Sequence, residues 1–294
     1  MIYVKKGDKK YPFSKGIMAR SLTRAGISVE SSYEIVEKIR KELQTKDIEE
    51  IPSRELIQKL CDELKDRGRI IEEKFYRVSK KIKYMKKPLF ILIGGGSGVG
   101  KSTISSAIGH RLDINRVIGS DTIREIMRSI LTRNLIPALH ESSFEAGDSL
   151  GSLFIKNRLL YGFEQQASLV KEGVLSVIRR GIKEGLNMVI NGVHIIPGIL
   201  KNEISEESAH VFQYVLDVAD EEKHIRNFYS REEDSARNPA RYIKKINKIR
   251  KLQNYLNQRA NNFDVRIITN RSFETTLKII LEDIINTLEK EIEK

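Results

Sequence analysis

The sequence predicts an α/β chain built on a doubly wound parallel sheet with helices on both faces, preceded by a small α+β domain. Three observations carry that prediction. From residue 89 onward, apolar strand-like runs alternate with helical stretches, the pattern of a parallel sheet covered by helices. A glycine-rich motif joins the first of those strands to the first of those helices. Ahead of Lys86-Lys87-Pro88 the pattern differs, being a hairpin followed by helices.

The hairpin is read from Ile2-Tyr3-Val4 and Tyr11-Pro12-Phe13, with Gly7-Asp8 between them as a turn pair. Between Ser31 and Leu43, the residues Tyr33, Val36, Ile39 and Leu43 recur at helical spacing. A second helix is expected from Ser53, after Pro52, to Arg67; Leu56, Ile57, Leu60, Cys61 and Leu64 share one face, and Gly68 supplies the stop. Cys61 on that stripe reads as a core position rather than a reactive thiol. A third helix spans about Glu72–Lys83. These elements make a domain of residues 1–84, and residues 85–88 make the linker.

In the domain that follows, residues 89–294, Leu89–Ile93 is a continuous apolar run, as expected of a strand buried on both faces. Further strands are expected at Arg116–Gly119, Met188–Asn191, Val211–Val218 and Val265–Thr269. Helices are expected at Lys101–Leu112, Thr122–Leu131, Glu164–Lys183, Glu221–Arg231, Arg241–Ala260 and Phe273–Lys294.

Composition narrows the partners. The 294 residues hold 52 Lys and Arg against 40 Asp and Glu, and the excess is uneven: residues 1–88 carry 23 basic and 14 acidic side chains. Such a balance points to anionic partners, whether nucleic acid, a membrane surface or small polyanions. No apolar run approaches the roughly 20 residues of a membrane span, and MIYVKKGDKK is charged where a secretory signal would be apolar. One cysteine excludes an internal disulfide and an all-cysteine zinc site. The expectation is a soluble, cytoplasmic, reduced protein.

The strongest motif is Gly95-Gly96-Ser97-Gly98-Val99-Gly100-Lys101-Ser102, which satisfies G-x-x-x-x-G-K-[ST] at every position and sits between a buried strand and an amphipathic helix. Glycines let the backbone curl so that successive N–H groups face a phosphate, and the helix N-terminus adds partial positive charge. Lys101 is expected at the β- and γ-phosphates, the Ser102 hydroxyl on Mg²⁺, and Thr103 beside them. The competing dinucleotide pattern G-x-G-x-x-G fails, since the stretches opening at Gly94, Gly96 and Gly98 end in Val99, Lys101 and Thr103. The motif marks a nucleoside triphosphate site.

On the acceptor side, Arg116–Asp121 reads as a strand ending in a carboxylate, with Arg124 one turn further along the next helix. Asp121 is placed to orient or deprotonate a hydroxyl and Arg124 to clamp an anion. Met188–Gly198 runs from a strand into a turn, with Asn191 where many such enzymes carry an acid and His194 just beyond. Past Asp220 come His224, Arg226, Arg231, Arg237 and Arg241, with Asn238-Pro239 breaking the helix between them. Arginines flanking a break suit a closing lid, here residues 220–241. From Arg237 to Lys251 there are seven basic residues and no acidic one, and Lys244, Lys245, Lys248 and Lys251 read as a solvated helix face.

Residues 1–84 resemble an ATP-cone, a small adenine-nucleotide-binding regulatory domain, through Val4-Lys5-Lys6-Gly7, Pro12-Phe13-Ser14-Lys15 and Tyr76. That resemblance makes Lys5, Lys6 and Lys15 residues of a secondary nucleotide site, although Lys6-Gly7-Asp8 stands where many ATP-cones have Arg-Asp-Gly. An ATP-cone joined to a P-loop kinase, together with Gly119–Glu125, Asn191–Gly198 and the His224–Arg231 stretch, is similar to the archaeal 2-phosphoglycerate kinases over essentially the whole chain. The resemblance implies transfer of the γ-phosphoryl group of ATP to the 3-hydroxyl of 2-phosphoglycerate, with a divalent metal. In methanogens the product, 2,3-bisphosphoglycerate, leads to the cyclic form associated with thermal protection. Read from their own positions, Lys101, Asp121, Arg226 and Arg231 are the expected catalytic residues, and Arg124, His194 and Arg237 the expected acceptor-binding ones. Where the family usually has Glu this chain has Asn191, so Asp121 or Asp217 must substitute if that acid positions the metal. Two other readings stay open: a P-loop kinase for another phosphorylated metabolite or an RNA end, and an ATP-sensing regulator that transfers nothing.

Overall fold

The computed structural model describes residues 2–150, 155–200, 203–230 and 238–292. They form two compact units, one of Met1–Met85 with His110–Asp113 and Glu282–Lys294, the other of Lys86–Gly109 with Ile114–Leu281.

In the first unit, β1 (Tyr3–Lys6) and β2 (Lys9–Pro12) form the expected antiparallel hairpin, and Gly7 turns it at φ +58°. Three helices match the apolar stripes: α2 (Val29–Thr45), α3 (Ser53–Asp66) and α4 (Ile70–Ile82). Their buried residues Ile35, Val36, Leu43, Leu60, Leu64 and Tyr76 build one core. Ser28 caps α2 by accepting the Ser31 N–H (3.2 Å), and Gly68 (φ +70°) follows the end of α3. Cys61 lies in this core, where burial and then the Glu73 carboxylate push its thiol up to about 12. Two elements go beyond the sequence reading, α1 (Lys15–Arg24) and β3 (Glu50–Pro52), the latter parallel to β1. A three-residue strand containing proline has no local signal; pairing with β1 creates it.

The second unit is a five-stranded parallel sheet in the order β5-β6-β4-β7-β8. The strands are β4 (Leu89–Gly94), β5 (Val117–Gly119), β6 (Met188–Asn191), β7 (His210–Asp217) and β8 (Arg266–Thr269). All six residues of β4 are buried, because it is the central strand and is covered on both faces. Along the chain come the helices α5 (Lys101–Leu112), α6 (Ser120–Ile130), α7 (Pro137–His140), α8 (Arg158–Glu184), α9 (Glu221–Tyr229), α10 (Pro239–Ile243), α11 (Ile246–Asn262) and α12 (Phe273–Ile292). Phe90, Leu92, Met188 and Ile190 alternate onto one face, where they meet Ile123 of α6 and Val170, Val174 and Ile178 of α8. A second cluster joins Phe163 of α8 to Phe228 of α9 and to Ile249, Leu252 and Leu256 of α11.

The helix expected over Arg241–Ala260 is broken between α10 and α11, and α8 starts earlier than expected, capped by Asn157. Strand register decides what meets at the carboxyl edge of the sheet: Ile93 lies beside Asn191 and Tyr214, Asn191 beside Gly119, and Asp217 beside Thr269. The glycine motif, the start of α6, the Asn191–His194 turn and the Asn270 loop therefore leave the sheet at one edge, where ligands bind in sheets of this kind.

Candidate active site

The glycine motif leaves β4 and feeds α5. Gly95, Gly98 and Gly100 take φ values of +137°, +85° and +90°, which L side chains rarely adopt. Crowding adds a second demand at Gly98, where a Cβ would lie 2.6 Å from Phe228 Cζ and 2.8 Å from His224 Nε2. The loop is held from outside by side chains distant in sequence. His224 Nε2–H donates to the Ser97 carbonyl (2.6 Å), Asn227 Nδ2 to the Gly98 carbonyl (2.8 Å) and Asn270 Nδ2 to the Val99 carbonyl (2.9 Å). With three successive carbonyls drawn outward, the amides that follow them are turned to the concave side, the arrangement of an anion nest.

The supports are themselves fixed. Thr276 Oγ1 donates to Asn270 Oδ1 (3.0 Å), and Gln253 Oε1 accepts the Gly96 N–H (2.5 Å). His224 stacks on Phe228, which stacks on Tyr242. Burial keeps the His224 ring below its ordinary histidine value, so the ring is neutral and its Nε2 carries the proton that Ser97 accepts.

Lys101 is buried and its Nζ donates to the Gly96 carbonyl (2.5 Å), within the loop it serves. Ser102 and Thr103 are exposed in the first turn of α5, which contains no acidic residue to compete for the helix N-terminus.

Asp121 and Arg124 lie in the first turn of α6, at the same edge of the sheet. The Asp121 side chain is 56% exposed, while Arg124 is half-buried with Nη1 on the Glu141 carbonyl (2.7 Å). Arg124 Nε is buried with no hydrogen-bond partner among the described residues.

His194, expected at the acceptor, is instead fully enclosed: it is 1% exposed, and Ser120 and Gln166 occupy its two ring nitrogens. Its Nδ1 is 3.9 Å from Asp121 Oδ1. Burial pushes the ring down to about 4, against the pull of Asp121 and with help from Arg124 and Lys101. Asn191 ends β6 as a buried amide.

The arginines expected as a lid divide. Arg226 is 67% exposed on α9 and faces Asp220 and Glu222 at 3.9 and 3.7 Å, whereas Arg231 and Arg237 lie outside the described residues. The same helix contributes His224 and Asn227 to the loop, so its described part supports the phosphate loop from below. Nor is the basic run a purely solvated face: Arg241 (2.7 Å) and Lys245 (3.5 Å) reach Glu145, and Lys248 reaches Asp148 (2.8 Å). In the first unit, Lys5 and Lys6 are exposed, Lys6 standing over the Tyr84 ring, and Lys15 pairs with Glu37 (2.9 Å).

Sequence reasoning did not single out Asn227, Gln253, Asn270, Ser120 or Gln166. A buried Gln on an apolar helix stripe, as at Gln166 and Gln253, is the one signal that could have found two of them.

A divalent cation fits the donor set as a phosphate-borne ion. Among the described residues no cluster of three or more His, Cys, Asp or Glu forms a cage, while the exposed Ser102 offers a hard oxygen donor to an ion that keeps most of its water and phosphate ligands.

No protein-family model matches the chain. A curated 2-phosphoglycerate kinase of Methanopyrus kandleri is 39% identical over 298 residues, covering 100% of this chain and 90% of its own. Those of Thermococcus kodakarensis, 37% identical with 99% of both chains covered, and of Pyrococcus horikoshii, 39% identical with 96% and 92% covered, agree. Among solved structures, the shikimate kinase of Acinetobacter baumannii superposes over 71% of this chain and 98% of its own, at 18% identity and a TM-score of 0.40. That likeness is too slight to carry an argument. The end-to-end matches to curated relatives do carry one: the chain belongs to the 2-phosphoglycerate kinase family.

Proposed function

We propose that this chain transfers the γ-phosphoryl group of ATP to the 3-hydroxyl of 2-phosphoglycerate, giving ADP and 2,3-bisphosphoglycerate. The observation that carries the reading is the tethered loop. Carbonyls 97 to 99 are held outward by His224, Asn227 and Asn270, at a helix start that lacks acidic residues. A loop held in this way binds triphosphate without reorganising, and Lys101 exchanges the Gly96 carbonyl for phosphate oxygens.

In this mechanism Arg124 takes an anionic group of the acceptor through its guanidinium. The exposed Asp121 carboxylate accepts the proton of the attacking 3-hydroxyl as the new O–P bond forms and the bond to ADP breaks in line. Ser102 would hold a divalent cation, which when bound supplies neutralising charge to the phosphates. Arg226, with Arg231 and Arg237, would screen the remaining charge. The transition state is loose, so positioning and charge outweigh base strength. Residues 1–84 serve as the ATP-cone, with Lys5, Lys6 and Lys15 toward a second adenine nucleotide. No described helix is long and apolar enough to cross a membrane.

The test is incubation with ATP, Mg²⁺ and a panel of phosphorylated three-carbon acids, followed by phosphorus NMR. Two adjacent phosphate monoesters formed only with 2-phosphoglycerate support the reading. ADP release without a phosphorylated acceptor, or transfer to another compound, overturns the acceptor.

A further inference from the structure

Behind the acceptor side lies a chain of buried polar side chains with no part in the mechanism above. Gln166 on α8 is completely buried, and its Nε2 donates to the carbonyls of Ala138 (2.6 Å) and Glu141 (2.9 Å). Both amide hydrogens are thereby used, so Oε1 can only accept, and it accepts from His194 Nε2–H (3.0 Å). A neutral imidazole protonated at Nε2 has an acceptor at Nδ1, which takes the Ser120 hydroxyl proton (2.8 Å). Ser120 is the first residue of α6 and precedes Asp121, while the Glu141 carbonyl that receives Gln166 also receives Arg124 Nη1. One network thus ends at the backbone that carries Asp121 and at the guanidinium of Arg124.

We infer that Gln166 and His194 are positioning residues that set the tautomer of the imidazole, the start of α6 and the Arg124 guanidinium, and so fix the acceptor-binding pair Asp121 and Arg124. This inference rests on the proposed role of that pair.

Three features favour a built relay over incidental core polarity. Ser120, Gln166 and His194 are each at most 1% exposed, and none of their polar atoms is left unpaired. Burying three polar groups is costly unless every bond is made, so a core without a task would use apolar residues. Gly192 makes room for the network: it has φ +153°, and a Cβ there would lie 1.8 Å from Ser120 Oγ. The charged groups acting on the ring are Asp121, Arg124 and Lys101; burial, helped by Arg124 and Lys101, keeps it neutral against the pull of Asp121.

The test uses the full chain and has two arms. In the first, ¹⁵N-histidine NMR without substrate reads the tautomer of His194, assigned by loss of its signal in His194→Gln. The expected ring carries its proton on Nε2 and does not titrate down to about pH 5. In Gln166→Glu a carboxylate replaces the amide oxygen, and the ring gains its second proton at higher pH. A ring protonated on Nδ1, or titrating ordinarily in the unmodified chain, overturns the relay.

In the second arm, Gln166→Leu and the milder Ser120→Ala are expected to raise KM for 2-phosphoglycerate roughly tenfold while KM for ATP stays within about twofold. Equal change in both constants, or none in either, overturns the positioning role. If the unmodified chain transfers nothing to 2-phosphoglycerate, the proposed acceptor falls and the NMR arm still decides the relay.

Discussion

Replacing Gly98 by alanine tests the tethered loop most directly, and Gly185→Ala supplies its control. Both glycines have positive φ, +85° and +64°, so each alanine incurs the left-handed backbone cost of about 1–2 kcal/mol. They differ in surroundings. Nothing lies within 4 Å of a Cβ at Gly185, just after α8, whereas at Gly98 it would stand 2.6 Å from Phe228 Cζ and 2.8 Å from His224 Nε2. Neither ring can swing away freely, because Phe228 is sandwiched between His224 and Tyr242. The methyl group therefore displaces either the loop or the His224 bond to Ser97, and that bond contributes about 1 kcal/mol.

Summed with the backbone cost, the loop is disfavoured by about 2–3 kcal/mol, which is roughly 30- to 150-fold in triphosphate affinity if binding needs the tethered form. Gly185→Ala should lower the thermal midpoint modestly and leave ATP affinity unchanged. The assay is calorimetric ATP binding beside thermal unfolding for both variants. ATP affinity within about twofold of the unmodified chain in Gly98→Ala would refute the idea that the collar sets the loop.

Other outcomes follow from the same geometry. His194 gains a proton near 6.5 when unfolded but near 4 when folded, so its stabilisation is full above about pH 6.5 and is lost as the pH falls toward 4. At about 1.4 kcal/mol per unit this amounts to about 3 kcal/mol; His224 adds to it in the same direction, while Glu37 and Glu42, held down to about 2, lose theirs only below about 4.5. Urea midpoints should fall across that window, less so in His194→Gln, and a flat profile would exclude the assignment. Lys101→Ala should abolish transfer with the fold intact, and Asp121→Asn should lower kcat by roughly a hundredfold or more with ATP binding kept; near-normal kcat in the second would reduce Asp121 to a helix-start residue. Cys61 should resist thiol reagents in the native chain and react once per chain after denaturation, as expected of a buried thiol held at about 12.

The parts of this protein that are local in the chain were legible in its residues. The motif Gly95–Ser102 contains its own glycines, lysine and serine within one turn of backbone, and Leu89–Ile93 could be read as a buried strand because a strand covered on both faces needs apolar residues at every position. The stripes of α2 and α3 were legible for the same reason, since helical periodicity is set by the helix itself.

What escaped was written across long separations. The collar joins Ser97 to His224, Gly98 to Asn227, Gly96 to Gln253 and Val99 to Asn270, pairs 127, 129, 157 and 171 residues apart. His224 read as part of a lid, and His194 as a substrate contact, because a histidine after a strand looks the same whether it faces a ligand or a buried glutamine. Lys245 and Lys248 read as solvated because their partners Glu145 and Asp148 lie about a hundred residues earlier. By itself the sequence determined the phosphate loop, the strand order of events along the chain and the family. Only the tertiary structure decided which side chains hold the loop and which hold the acceptor side, because those hydrogen bonds exist only once parallel register brings the carboxyl ends of the strands to one edge.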